Sequence, residues 1–320
     1  MPPSETPEPL DPGIPPPETP EPLDPEIPPP ETPEPLDPEI PPPETPEPVG
    51  FYTLTVPMEA AANLANIKAA IATALGGKNP ANPGAGKAWT VRIIGLNLGG
   101  SNLTNLYTGV AASLSGDIDL DLSACTGNTI ACTDTTLVQT VRDRFIAITL
   151  GEDVKTLAEY DAFSGAFCEF SRLRRIHAPG VTRIGDWTFR LCVALEQAEF
   201  PNAQSLGIGA FQSCATITAV SFPLVTTVAL NAFNTCASLQ TVSLPKAVSI
   251  GGYAFNVCPA LTSLTLGPTI PSFGDAPFGT IAGDPNTITI TVPAGKKGAY
   301  ESAFSSKVWG RTNITIKFAD

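Results

Sequence analysis

The chain has 320 residues, 35 of them proline, and a formal net charge of −13. Residues 1–50 hold 22 of the prolines and 13 acidic residues without a single Lys or Arg, while the other 270 balance 18 acidic against 18 basic residues. A neutral body lacks the Lys/Arg surplus that phosphate neutralisation needs, an acidic tail repels DNA and anionic lipid, and no apolar run approaches about 18 residues, so nucleic acid and membrane insertion are excluded.

The tail repeats every 13 residues, with copies beginning at Glu5, Glu18, Glu31 and Glu44 and Gly13 replacing Glu in the first. So much proline prevents helix and sheet ladders, and too few apolar residues remain for a core. The expected state is a disordered or polyproline II tail, which at ~3.1 Å per residue makes a spacer on the order of 150 Å long. PxxP spacing occurs at Pro22/Pro25 and Pro25/Pro28, but the flanking basic residue of an SH3-type ligand is missing. Met1 runs straight into Pro2-Pro3-Ser4 without a leader, which fits either a cytosolic protein or a chain from which an export and anchor segment is absent, and the second reading is taken.

Residues 51–56 alternate as a strand, and 58–75 read as a helix with the stripe Leu64, Ile67, Ile71 and Leu75, stopped by Gly76-Gly77. A loop with Pro80, Pro83, Gly84 and Gly86 follows, then a strand from Val91 to Leu98. Residues 51–90 are expected to form an N-terminal α/β cap, since an open solenoid end exposes core and a strand edge. Loops are expected over 99–116 and 124–140. Between them Ile118, Leu120 and Leu122 alternate with Asp117, Asp119 and Asp121, a half-buried strand with an acidic outer row. Phe145 to Leu150 is the next strand.

From there a phenylalanine returns every 22 residues: Phe167, Phe189, Phe211, Phe233 and Phe255. Ala166, Thr188, Ala210, Ala232 and Ala254 precede it. Cys192, Cys214, Cys236 and Cys258 follow three residues later, with Phe170 in that slot in the first copy. Leu173, Leu195, Ile217, Leu239 and Leu261 come next, and Pro179, Pro201, Pro223 and Pro245 close four of the units. A fixed period of this size means a solenoid whose coils bury apolar residues against their neighbours. Each coil carries one strand with inward pairs such as Val220/Phe222, a second segment ending in Ile184-Gly185 or its equivalents, and a short helical turn holding the Phe. Irregular coils run from 91 to about 160 and regular ones over 160–266, and the solenoid ends at 293. A closing helix over 296–306 and a strand over 314–318 lie in a C-terminal cap, 294–320. The ladder cysteines read as buried, small apolar residues. Cys125 and Cys132 are the better disulfide candidates, and Cys168 is the odd thiol.

The residues offer no catalytic, cofactor-binding or metal site. His177, the single histidine, sits in a strand between inward residues and points outward without an evident orienting group. The ladder cysteines lack CxxC partners for zinc, and Gly76-Gly77 and Gly99-Gly100 fit no phosphate-binding loop. Asp117, Asp119 and Asp121 have carboxylates enough for a weak calcium contact but not the loop of a dedicated site.

The pattern Ile-Gly-x-x-Ala-Phe-x-x-Cys-x-x-Leu-x-x-Val-x-Phe-Pro resembles the BspA-type, or treponemal-type, leucine-rich repeat over about residues 160–293. Leu120-Asp121-Leu122-Ser123-Ala124-Cys125 is similar to the opening segment of such proteins. Val292-Pro293-Ala294-Gly295, Tyr300 and Trp309 are similar to their C-terminal cap. The fold class implied is a leucine-rich-repeat solenoid, mainly β with short helical turns. The resemblance also implies a bacterial cell-surface or secreted protein, often lipid-anchored, some members of which bind host matrix proteins or other cells. The chain lacks the leader and lipid-attachment cysteine of that pattern and has about five regular coils.

The outward strand positions make the candidate binding face: Asp119, Asp121, Arg175, His177, Gln197, Glu199, Ser221, Thr241, Ser243, Ser263 and Thr265. Most are small and polar, and of the Trp, Tyr and Arg anchors that centre tight interfaces only Arg174 and Arg175 are present, beside His177. Weak or multivalent recognition follows, or recognition on loops; Ser and Thr also serve simply to keep a β-face soluble. The expected function is adhesion, without enzymatic activity or cofactor, to an extracellular matrix protein, a cell-surface protein or a glycan, by a monomer. The alternative is a structural envelope protein that associates with itself or with cell-wall polymer.

Overall fold

A computed structural model describes residues 52–58, 63–76, 87–99, 102–131, 137–159, 165–279, 287–304 and 315–319. The 13-residue repeats, the loop at 77–86, Cys132 and Trp309 lie outside the described residues. Glu47–Asp320 forms one compact unit. Within it, every strand pair among the described residues is parallel, apart from one antiparallel bridge between Glu159 and Gly165. Parallel pairing is what a coiling chain produces, since each strand meets its neighbour only after a full circuit.

Three sheets result. On the strand face, six strands run in order Tyr52–Pro57, Ala88–Asn97, Asp117–Thr126, Phe145–Leu150, Arg175–His177 and Gln197–Glu199. Five more continue the same repeat position: Ala219–Ser221, Thr241–Leu244, Ser263–Leu266, Thr287–Thr291 and Thr315–Ala319. The back sheet has seven short strands, from Thr129–Ala131 to Ser272–Phe273. In the regular coils the register equals the repeat, pairing Arg183 with Ser205, Thr227 and Ser249 in turn. Inward residues such as Ile176, Val220, Val242 and Leu264 are buried, and outward ones are polar, because strand side chains alternate between faces.

The third side of each coil is the phenylalanine turn. Its rings stack along the solenoid: Phe167 on Phe189 at 5.4 Å, Phe189 on Phe211 at 5.1 Å, Phe211 on Phe233 at 5.3 Å, with interplanar angles of 15° or less. The expected short helical turn is built from i→i+3 hydrogen bonds, such as Cys192 N to Phe189 O, flanked by left-handed residues. Leu191, Ser213, Thr235 and Val257 take that conformation two residues after the ring; Trp187, Gly209, Asn231 and Tyr253 take it two before. A non-glycine residue held there costs about 1 kcal/mol or more. The gain is a third backbone ladder, in which the N–H groups of Trp187, Phe189 and Leu191 donate to the carbonyls of Ile208, Ala210 and Gln212 in the next coil.

The ladder cysteines do more than fill space. Each thiol donates to the carbonyl of the previous coil's phenylalanine: Cys192 to Phe167, Cys214 to Phe189, Cys236 to Phe211 and Cys258 to Phe233, at 3.1–3.2 Å. A small side chain that also carries a weak donor suits a buried slot beside a carbonyl whose second lone pair is unused by the backbone. Burial raises the Cys192, Cys214 and Cys236 thiols well above their ordinary value.

The irregular coils are backed by helices. The helix expected over 58–75 is α1, Leu64–Leu75, with Asn63 accepting from Asn66 N at its start and left-handed Gly76 at its end. The expected loop at 99–116 is instead largely α2, Asn102–Ser113, which buries Leu103, Leu106, Tyr107 and Val110. A Cβ on Gly109 would lie 2.4 Å from Ile67 Cγ2, so the glycine lets α2 close on α1. A short α3, Gln139–Arg142, follows. Phe170, in the first coil's cysteine slot, packs with Tyr107 at 5.2 Å and Phe145 at 6.2 Å. At the other end α4, Lys297–Phe304, buries Tyr300, whose hydroxyl donates to the carbonyls of Gly267 and Thr269.

Candidate binding face

Sheet register turns the outward positions into two columns. One runs Asp119, Ala147, Arg175, Gln197; the other runs Arg92, Asp121, Thr149, His177, Glu199. Ala147 is too small to rise between its neighbours, and the Arg175 guanidinium reaches over it to Asp119 at 3.4 Å. Arg92 meets Asp121 at 3.5 Å. Arg172 holds Asp117 with two nitrogens at 2.7 and 2.9 Å. The acidic row is therefore not free to wait for a cation, since each carboxylate has its own guanidinium. Among the described residues no group of three or more His, Cys, Asp or Glu side chains gathers to hold a metal. Burial holds the Asp119 carboxyl above its ordinary value, with Arg175 opposing and Asp121 adding to the rise.

His177 is exposed and gains the orienting partner that the sequence did not reveal: its Nδ1 lies 2.7 Å from Glu199 Oε2 on the next strand. Together Asp119, Thr149, Arg175, His177, Gln197 and Glu199 rim a dish of about 300 Å³. A second hollow of about 370 Å³ is lined by Ile146, Arg174, Arg175, Glu196 and Gln197. Cys168 offers no nucleophile, because it is buried in the Phe167 turn and its thiol is raised chiefly by that burial, whereas a reactive thiol needs a lowered value. Cys125 is also buried, donates to the Ile93 carbonyl and is pushed up to about 11.

The other predicted residues form a separate surface. Ala219, Thr241, Ser263 and Thr289 are in register, as are Ser221, Ser243, Thr265 and Thr291. The first three of each row flank a shallow hollow of about 300 Å³. Between the charged and hydroxyl parts the strand-face ladder stops at Gln197–Glu199 and restarts at Ala219–Ser221, while the back sheet and the turn ladder cross the same coils without interruption. Half-buried Ala198 occupies the inward slot there that Ile176 and Val220 fill in the coils on either side, and the Thr216 hydroxyl donates to Val193 O and Leu195 O.

Sequence reasoning missed Arg92, Arg172 and Ala147 as parts of this face. Alternation along Thr90, Val91 and Arg92 would have set Arg92 outward beside Asp121. The Arg172–Asp117 pair spans 55 residues and left no local signal.

The family model of the BspA type leucine-rich repeat region matches residues 161–282 and 226–316, with six copies. A crystal structure of a leucine-rich repeat protein from Bacteroides ovatus is similar at 16% identity, covering 72% of this chain and 69% of that chain with a TM-score of 0.32. No curated protein matches. Residues 161–316 are thus a BspA-type leucine-rich repeat region, a protein-interaction repeat.

Proposed function

We propose that this BspA-type leucine-rich repeat protein is a non-enzymatic adhesion protein, surface-displayed or secreted, that binds a matrix protein, cell-surface protein or glycan through the charged part of its strand face. The observation that carries this reading is the convergence of Asp119, Arg175, His177, Gln197 and Glu199 on one dish, in a face whose other part, from Ala219 onward, is small and hydroxylic. Charged groups arranged in complementary pairs select a partner and its register more than they add raw affinity, which suits a displayed receptor working by number. Residues 1–50 are assigned the role of a spacer, from their proline and acidic content.

The test is a binding screen of the full chain against matrix proteins, glycans and itself. Saturable binding to one matrix component or glycan, weakened by Arg175→Ala with His177→Ala, supports the reading. Self-association with no heterologous signal overturns it in favour of a structural protein.

A further inference from the structure

A second surface lies on the turn side, away from the strand face. The backbone ladder joins Trp187 N to Ile208 O, Gly209 N to Leu230 O, and Tyr253 N to Asp275 O. A Cβ on Gly209 would lie 2.1 Å from the Trp187 ring, so the ring lies across that glycine. Leu230 reaches toward Gly252 in the same way, its Cδ1 3.5 Å from a Cβ built there. Trp187, Ile208, Leu230 and Tyr253 thus follow one another along three coil steps as an apolar ridge. Leu230 is 43% exposed and Tyr253 36%; Trp187 and Ile208 are partly exposed.

This ridge works against the local backbone. The slot two residues before Phe189, Phe211, Phe233 and Phe255 is left-handed, and Gly209 and Asn231 occupy it at little strain. At the same slot on either side the chain places Trp187 and Tyr253. The ladder rung from Tyr253 N to Asp275 O accounts for the backbone conformation, but the tyrosine side chain, 36% exposed, adds no burial in return for occupying a slot that Gly and Asn fill more easily. Each aromatic also has an acidic neighbour: partly exposed Asp186 precedes Trp187, with its Oδ1 accepting from Ile208 N at 2.8 Å and its second oxygen left over, and exposed Asp275 follows Tyr253 across the ladder, its carbonyl accepting from Tyr253 N. An aromatic face next to a carboxylate is a seat for a Lys or Arg side chain.

We propose that the ridge of Trp187, Ile208, Leu230 and Tyr253 docks an extended basic protein segment. Its cations sit at the Trp187/Asp186 and Tyr253/Asp275 ends, with an apolar side chain on Leu230 between them. Three coil steps of about 4.8 Å separate the two ends by roughly 14 Å. At about 3.3 Å per residue that places the two basic residues about four positions apart.

The probe is a labelled peptide, Arg-Thr-Leu-Thr-Arg, titrated against the full chain, with Glu-Thr-Leu-Thr-Glu as its charge-reversed control. The acidic residues 1–50 attract cations as well, so the readout is the difference between proteins that share them. Tyr253→Asn is expected to weaken binding about fivefold while leaving the thermal midpoint unchanged or higher, because Asn231 already occupies the equivalent slot. Arg175→Ala with His177→Ala is expected to retain full peptide binding, which separates this surface from the strand face. Equal affinity in wild type and Tyr253→Asn overturns the proposal. So does a midpoint that falls as it would for a core residue, or loss of binding in the Arg175/His177 variant.

Discussion

The strand face has two parts, built on two parallel sheets at the same repeat position and over the same kind of interior. Up to Gln197–Glu199 its outward positions carry paired charges over a dish; from Ala219–Ser221 onward they carry hydroxyls in register. The inward residues are of one kind on either side of the boundary, where Ile176 and Val220 are both buried, and only half-buried Ala198 at the boundary itself is smaller. The difference teaches that inward positions determine how the chain coils, while outward ones are free to differ and so are where the proposed function places recognition.

The surest way to break the comparison is to attack the interior that both parts share. Phe211→Ala, in the centre of the ring stack, is expected to destabilise by roughly 3–5 kcal/mol in denaturant unfolding. Phe145→Ala, in the charged part, is expected to cost the same. A much smaller loss at Phe145 would show that the two parts do not share one kind of core. Next comes the thiol ladder. Cys214→Ala removes a donor to the Phe189 carbonyl and is expected to cost about 1–2 kcal/mol. Because burial raises these thiols, their contribution is complete below the unfolded value near 9 and is lost as pH rises; for Cys125 the window closes at about 11. Native protein at neutral pH should accordingly resist alkylation at Cys125 and at the ladder positions, and react only on unfolding; rapid native labelling, read by mass spectrometry, would contradict this.

Smaller effects separate the two parts. Arg172→Ala removes an exposed bidentate pair with Asp117 and is expected to lower stability by about 0.2–1 kcal/mol at low salt, with the loss shrinking in high salt. Thr265→Ala, in the hydroxyl part, is expected to stay within about 0.5 kcal/mol and to show no salt dependence. A salt-insensitive Arg172 variant, or a costly Thr265 variant, would erase the distinction between a charged and a merely soluble surface.

The regular coils were legible because their signal repeats: Phe189, Cys192 and Leu195 say little alone, but their return every 22 residues identifies a stacked interior. Helix α2 was not, because Gly109 and the polar residues Asn102, Thr104 and Asn105 read as loop. The stripe of Leu103, Leu106, Tyr107 and Val110 was present but went unread. The glycine that weakened the helical reading is the residue that lets α2 approach Ile67. On the face, strand alternation was enough to set His177 outward, whereas Glu199 as its partner required the register between coils. The stop in the ladder at Ala198 left no mark beyond a small residue in a slot that accepts larger ones.

Because the regular coils repeat their contacts, the number of coils is a setting of its own. Adding one 22-residue unit among the hydroxyl coils would extend every ring stack, thiol contact and ladder by one identical step of about 4.8 Å and leave the dish around Arg175 and His177 untouched. Under the proposed function, reach and selectivity are then separate variables: whole-coil gain or loss alters the length of the solenoid, while point substitution on the charged part alters what that part would hold. A single-residue insertion between Phe211 and Cys214 would do neither, since it would shift the cysteine out of line with the Phe189 carbonyl and the coils on both sides.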